Sequence, residues 1–228
     1  MEKVFDISIN HIWVVIPAYN EAPTLTSLLH KTRAFAQNIV IINDGSTDLT
    51  EKVAQDANVK VVTHLVQLGK GAALKTGCEY AIQQGARYII TLDGDAQHDP
   101  QDIPRFTECL KNYDIVFGYR ELNKNMPLLF RFGNWLLSKM IETLYGLTLV
   151  DTQSGYRAFS KETYTKIKWN SSDYFTESEM IMKTKKNKLT YCEIPIKTIY
   201  LDKYKGTTVF DGMKIMAYLL TSKILKRR

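Results

Sequence analysis

The sequence predicts an α/β fold, a doubly wound and mostly parallel sheet with helices on both faces. Three observations carry this expectation. Five short apolar runs are continuous rather than alternating, as strands covered on both faces are. Segments with apolar residues at helical spacing lie between the runs. Four of the five runs end in a burst of polar residues.

The first run is "IWVVIP" at 12–17, followed by "TLTSLLHKTRAF" with its apolar residues at helical spacing. The second, "IVIIND" at 39–44, opens into a D-G turn. The third is "VKVVTH" at 59–64; after it, "GAALKTGCEYAIQQG" reads as a helix closing on Gly85 as a C-cap residue. The fourth is "YIITLD" at 88–93. Beyond it "DPQDIPRFTECL" opens with Asp99 as N-cap and Pro100 at the first helical position. The fifth is "DIVFGY" at 114–119. The final stretch, "VFDGMKIMAYLLTSKILKRR" at 209–228, is apolar on one side and basic at its end, and reads as a C-terminal amphipathic helix. That stretch and "PLLFRFGNWLLSKMIETLYGL" at 127–147 suit a headgroup interface, the protein core or a dimer contact.

At 228 residues the chain is long enough for one large domain, expected to span 1–228. Its charge is split. Residues 1–119 carry 10 Lys and Arg against 14 Asp and Glu, and residues 120–228 carry 20 against 10. An acidic half that holds a metal and a basic half that meets an anion or an anionic surface fit this division. Cys78, Cys109 and Cys192 are odd in number and form no C-x-x-C pair, so neither a disulfide framework nor a zinc site is expected. A reducing cytoplasm fits best. The N-terminus carries acids and no long apolar block, and no uncharged run has the length of a membrane span.

In doubly wound sheets, ligands bind beyond the carboxyl ends of the strands. Here those ends read "PAYNE", "NDGSTD", "LDGDAQ" and "GYRE". One such ending is a turn; four on one rim predict a site. Alternate strand residues face the same side, so Asp93 and Asp95 can point together, with Gly94 between them permitting close approach. Two carboxylates and the Gln97 amide oxygen are hard ligands that suit Mg2+ or Mn2+. The "GKGAALKTG" run lacks the third glycine of a dinucleotide fingerprint and the order of a P-loop, so neither reading holds. Lys70 and Lys75 there read as solvated more readily than as phosphate contacts. Thr176 with Glu179 three residues later reads as a capping box, leaving Glu177 as the acid near a substrate.

The ordered set "VVIPAYNE", "IINDGSTD", "LGKGAALKTG", "LDGDAQH" and "DTQSGYRAF" resembles the family 2 glycosyltransferases of GT-A, Rossmann-like fold, and within them the polyprenyl- or dolichyl-phosphate hexose transferases. The resemblance runs from about Ile12 to Tyr200. It implies a nucleotide-sugar and metal half at 1–119 and an acceptor half at 120–228. By it, Pro17, Tyr19 and Glu21 form the first nucleotide-contacting loop, and Ile42 and Asp44 the strand end at base and ribose. Asp93, Gly94 and Asp95 match the acid-x-acid motif at the diphosphate, and Asp95 and Gln97 the metal ligands. Arg120 matches a basic residue near the donor phosphates, and Lys203 stands in for a late arginine. Arg131, Ser154 and Arg157 fall on the acceptor side, and Asp95, Arg120 and Arg131 are the implied catalytic set. Asn43 departs from the family pattern, which often has an acid there.

The resemblance implies metal-dependent, inverting transfer of a hexose from a GDP- or UDP-sugar to polyprenyl (dolichyl) phosphate at the inner face of a membrane. The expected partners are therefore the nucleotide sugar, the lipid phosphate and an anionic membrane surface, not nucleic acid; no oligomeric state is specified. A lipid phosphate is mostly ionised near neutral pH and needs no general base. Two alternatives stand beside this. One is a soluble relative acting on a glycan or protein hydroxyl, with Glu177 or Glu179 as base. The other is a non-catalytic sugar-nucleotide-binding module.

Overall fold

The computed structural model describes residues 9–120, 128–173, 175–197, 199, 214–217, 219 and 221. The strands are Ile12–Ala18 (β1), Asn38–Asn43 (β2), Lys60–Thr63 (β3), Tyr88–Thr91 (β4), Ile115–Arg120 (β5), Arg157–Ser160 (β6) and Tyr191–Ile196 (β7). The helices are Ala22–Arg33 (α1), Thr50–Asp56 (α2), Lys70–Gln83 (α3), Ile103–Cys109 (α4), Leu128–Tyr145 (α5), Lys161–Ile167 (α6) and Thr176–Lys186 (α7). Among the described residues the strands form one sheet in the order β3-β2-β1-β4-β6-β5-β7.

The continuity of the apolar runs has a direct cause. On β1, Trp13 and Val15 enter a core with Ala73, Leu74 and Cys78 of α3, while Ile12, Val14 and Ile16 enter the opposite core with Leu25, Leu28 and Leu29 of α1. Both faces are covered, so every position is apolar. Truncating one of these fully buried leucines to alanine costs about 2–5 kcal/mol.

The five expected strands are present, and two more appear. β6 runs antiparallel to both β4 and β5, pairing Ala158 with Ile90 on one side and Val116 on the other. The sheet is therefore mixed, though mostly parallel. β7 pairs with β5 at the sheet edge, where Pro195, which cannot donate a ladder bond, is tolerated.

α3 ends as expected at Gly85 (φ 94°): the Gly85 N–H donates to Ile82 O and the Ala86 N–H to Ala81 O, at 3.1 and 2.9 Å. Asp99 caps its segment by accepting from Gln101 N at 3.1 Å, but the first turn is a 3-10 turn and α4 begins only at Ile103.

Leu137 and Ile141 of α5 are buried, as are Ile215 and Leu219 in the helical part of 214–221. Tyr145 Oη donates to the Leu219 carbonyl at 2.8 Å. These described positions pack into the core; residues 209–213 and 222–228 of the expected C-terminal amphipathic helix lie outside the described residues. No described helix is long and apolar enough to cross a membrane.

Candidate active site

The parallel strands deliver their carboxyl ends to one rim, and β6, running the other way, delivers its amino end there. A cavity of about 630 Å³ opens between these ends. Pro17, Tyr19, Glu21, Asp44, Asp93, Gly94, Asp95 and Arg120 all line it, so eight residues singled out from sequence converge. Lys70, Gln153 and Glu177 line it as well.

Gly94 fits where no side chain would: a Cβ there would lie 2.8 Å from the Pro17 carbonyl oxygen. The motif loop is thus pressed onto the end of β1, and Thr24 Oγ1 donates to the Gly94 carbonyl at 3.0 Å. Asp95 Oδ1 accepts from the Gln97 N–H at 3.0 Å across Ala96, which adopts a positive φ of 58°. Gln97 is half-buried and is not among the residues that line the cavity; its carbonyl accepts from Ile199 N at 2.9 Å.

The two carboxyls differ in electrostatics. Burial opposes ionisation of Asp93, but Lys70, at 2.7 Å from Oδ1, outweighs it and leaves the carboxyl below its ordinary range. His98 contributes little of this near neutral pH, because burial pushes its own pKa down to about 4. Among the described residues no cation is paired with Asp95, and Lys70 acts on it only weakly. Burial, then the charge of Asp93, push it up to about 6.

The donor set fits a hard divalent ion: carboxylate oxygens with an amide oxygen two residues on, the neighbouring carboxylates opposing each other's charge. Among the described residues no three His, Cys, Asp or Glu side chains group closely enough to hold an ion alone.

Asp44 works through its own loop. Its carboxylate accepts from Leu68 N (2.9 Å), Gly69 N (2.8 Å) and His64 Nδ1 (2.7 Å), tying the end of β2 to the start of α3. His64 Nε2 lies 3.0 Å from Thr76 Oγ1. Asn43 keeps the turn in shape without an acid, accepting from Ser46 N and donating to Glu51. Ile42 is fully buried beneath Gly77 and does not reach the cavity.

On the far side, Arg120 donates Nε and Nη2 to the two oxygens of Asp151 at 2.6 and 3.1 Å, a bidentate pair. Asp151 is 1% exposed; burial opposes its charge, and Arg120 more than offsets this, holding its pKa below the ordinary value.

The acceptor-side expectation for Arg157 and Ser154 is corrected. Arg157 is 1% exposed and spans the core under the loop, donating to the carbonyls of Ser154, Glu177 and Thr152 at 3.0, 2.8 and 3.0 Å. Its guanidinium also sits 5.0 Å from the Phe117 ring centroid. The Ser154 hydroxyl turns inward and accepts from Tyr156 N, so Gln153, not Ser154, meets the cavity. The side chain of Arg131, on α5, and all of Lys203 lie outside the described residues.

Two further readings change. Thr176 and Glu179 form no capping box: Phe175 holds the cap position, and Glu179 Oε2 accepts from Asn170 N and Ser171 N at 2.7 and 3.3 Å. Lys70 is not a freely solvated lysine: it is half-buried, its ammonium set between Asp93 and Glu177.

The family model described as Glycosyl transferase family 2 matches residues 13–168. A UDP-N-acetylglucosamine–dolichyl-phosphate N-acetylglucosaminyltransferase of Methanococcus voltae is 36% identical over 243 residues, covering 94% of this chain and 97% of the relative. An undecaprenyl-phosphate mannosyltransferase of Micrococcus luteus is 27% identical over 215 residues, 88% of each. Among solved structures, glucosyl-3-phosphoglycerate synthase from Mycobacterium tuberculosis with Mn2+, UDP-glucose and phosphoglyceric acid superposes with a TM-score of 0.76. It covers 96% of this chain and 85% of that one at 20% identity, a likeness of fold.

Proposed function

The chain belongs to glycosyl transferase family 2 and is a glycosyltransferase, and from that premise we propose that it moves a sugar from a UDP-sugar to a polyprenyl phosphate at a membrane surface. The observation that carries this reading is that one cavity is lined by Asp93, Asp95 and Arg120 together. It offers a donor side rich in carboxylate and an acceptor side with a fixed guanidinium. The relative from Methanococcus voltae, matched over nearly its whole length, favours N-acetylglucosamine as the sugar and a polyprenyl phosphate as acceptor.

Asp95 and Gln97 would hold Mg2+ or Mn2+, with Asp93 alongside. Such an ion, when bound, offsets charge on the leaving diphosphate. The chain's own residues do the rest. Pro17, Tyr19 and Glu21 flank the donor, and Asp44 fixes the loop at 64–69 against it. Arg120, oriented by Asp151, faces the acceptor oxyanion. The acceptor oxygen attacks the anomeric carbon opposite the diphosphate, the new C–O bond forms as the old one breaks, and the anomeric centre inverts.

The membrane part of the reading draws on two features. Residues 120–228 carry the excess of cations. Leu65, Val66 and Leu68, in the loop after β3, are 100, 63 and 48% exposed beside the cavity rim. An apolar loop beside the mouth suits a protein that takes its acceptor from a bilayer on the cytoplasmic side.

A second reading, transfer to a hydroxyl, has one observation in its favour: Glu177, a candidate base, lines the cavity. The test uses the full chain with Mn2+, polyprenyl phosphate in detergent, and UDP-N-acetylglucosamine or GDP-mannose. Sugar should enter the lipid fraction with release of nucleoside diphosphate. Equal transfer to free polyprenol would overturn the phosphate-acceptor reading.

A further inference from the structure

Lys70 is the first residue of α3, and its ammonium stands between two carboxylates from distant parts of the chain. Nζ is 2.7 Å from Asp93 Oδ1 and 3.0 Å from Glu177 Oε1. Glu177 Oε1 has no well-aligned hydrogen bond, so its attraction to Lys70 is mainly coulombic. The side chains are 27, 22 and 5% exposed for Lys70, Asp93 and Glu177, so water screens the trio weakly.

The trio is also walled in. A Cβ on Gly155 would lie 2.5 and 2.7 Å from the Asp93 oxygens and 2.8 Å from Lys70 Nζ. Any side chain there would push the pair apart. Glu177 is held from behind as well, its carbonyl accepting from the buried Arg157 at 2.8 Å.

We propose that Lys70 is a positioning residue that clamps Asp93 of the donor side to Glu177 of the acceptor side, and that by engaging Glu177 it commits the site to an acceptor that arrives already ionised. This rests on the polyprenyl-phosphate reading above and sharpens it. A general base must lie within hydrogen-bond reach of the proton it removes. The Glu177 oxygen nearest the donor motif faces an ammonium instead. A hydroxyl acceptor would find that oxygen occupied, whereas a phosphate oxyanion has no proton to give up. The same ammonium offsets one of the three carboxylate charges of Asp93, Asp95 and Glu177. It also keeps Asp93 in one orientation whether or not a donor is bound.

The experiment compares the full-length wild type with Lys70→Met, Lys70→Arg, Glu177→Gln and the double variant Lys70→Met/Glu177→Gln. Each is assayed with polyprenyl phosphate, Mn2+ and UDP-N-acetylglucosamine, and its thermal midpoint is recorded. Losing a charge-assisted contact should lower kcat of Lys70→Met by about 10- to 150-fold. Lys70→Arg keeps the charge and should recover part of that loss. The double variant should also exceed Lys70→Met, because it removes one of the two carboxylates left without a cation. Recovery of kcat at unchanged thermal midpoint is a result that a purely structural lysine would not give.

Glu177→Gln loosens one arm of the clamp and should lose less than about tenfold in kcat, whereas loss of a general base gives about 10²–10⁴-fold. A loss in that larger range, with the fold intact, overturns the proposal, as does a Lys70→Met enzyme equal to wild type. If Lys70→Met does not fold, Lys70→Arg and Glu177→Gln still decide.

Should the wild type transfer sugar to no polyprenyl phosphate, the acceptor reading fails on its own. The clamp is then read from calorimetric binding of UDP with Mn2+: weaker in Lys70→Met and restored in the double variant if the clamp exists, unchanged throughout if it does not.

Discussion

Replacing Arg157 by methionine separates a buried brace from a ligand-binding arginine. Methionine matches the length of the stem, so little cavity is opened and the lost interactions are polar. Three carbonyls, those of Thr152, Ser154 and Glu177, lose their donor in a place that water does not reach. A hydrogen bond to a charged group contributes about 1.5–3 kcal/mol. Three such bonds to one group do not add fully, so about 4 kcal/mol is the expected loss. For a chain of this size each kcal/mol moves the midpoint by about 2–4 °C, giving a fall of about 8–16 °C in a thermal scan. Burial lowers the Arg157 pKa to about 10, so the group is a cation at pH 7 and the charged-bond figure applies. Lysine at 157 keeps the charge without the three-way fork and should fall about half as far. A methionine variant within about 2 °C of wild type, with an acceptor KM raised tenfold or more, would refute this reasoning and return Arg157 to the acceptor.

Asp95→Ala, or excess EDTA on the wild type, should abolish sugar transfer with the thermal midpoint intact; activity persisting in EDTA would count against the metal. Leu65→Glu combined with Leu68→Glu should weaken sedimentation with anionic vesicles, each exposed leucine contributing up to about 1.5–3 kcal/mol if fully inserted. Binding that ignores both changes would remove this loop from the membrane contact. Asp151 has its folded pKa held below the ordinary value of 3.8, so its pairing with Arg120 stabilises the fold above pH 3.8 and is lost as pH falls through the folded value. Asp151→Asn should therefore lower stability at pH 7 by about 3–5 kcal/mol, as breaking a buried pair does. Its thermal midpoint should also change less than that of wild type on acidification; parallel curves would show that the pair does not contribute.

The strands that end in chemistry were legible because each is buried on both faces, which forces a continuous apolar run, and because their polar ends are concentrated where the runs stop. β6 was hidden by its brevity and by Arg157, a cation in the middle of a sheet that pattern alone assigns to a surface. β7 was hidden by Pro195 and Glu193, both tolerated because the strand lies at the edge. The wedge of Lys70 could not be read locally. Its partners Asp93 and Glu177 lie 23 and 107 positions away, and the close approach of Gly155 to Asp93 and Lys70 is a contact of the folded chain that no local pattern contains. The Thr176 and Glu179 pattern misled for a related reason. Glu179 found two backbone donors in the loop at 170–171, which a pattern of four residues does not include.

The reversed strand β6 has a consequence for how the chain can be divided. β4 and β5 follow each other in sequence with only α4 between them, yet they do not touch as partners. The ladder between them is filled by residues 157–160. A fragment ending at residue 119 would carry both strands with their facing edges bare, two rows of unpaired N–H and C=O groups in the middle of an apolar sheet. Such a piece is a template for association with other chains rather than a donor-binding module. The acidic and basic halves therefore interlock as a mortise and tenon do, and fragments exchanged between relatives will need to carry β6 along with the strands on either side of it.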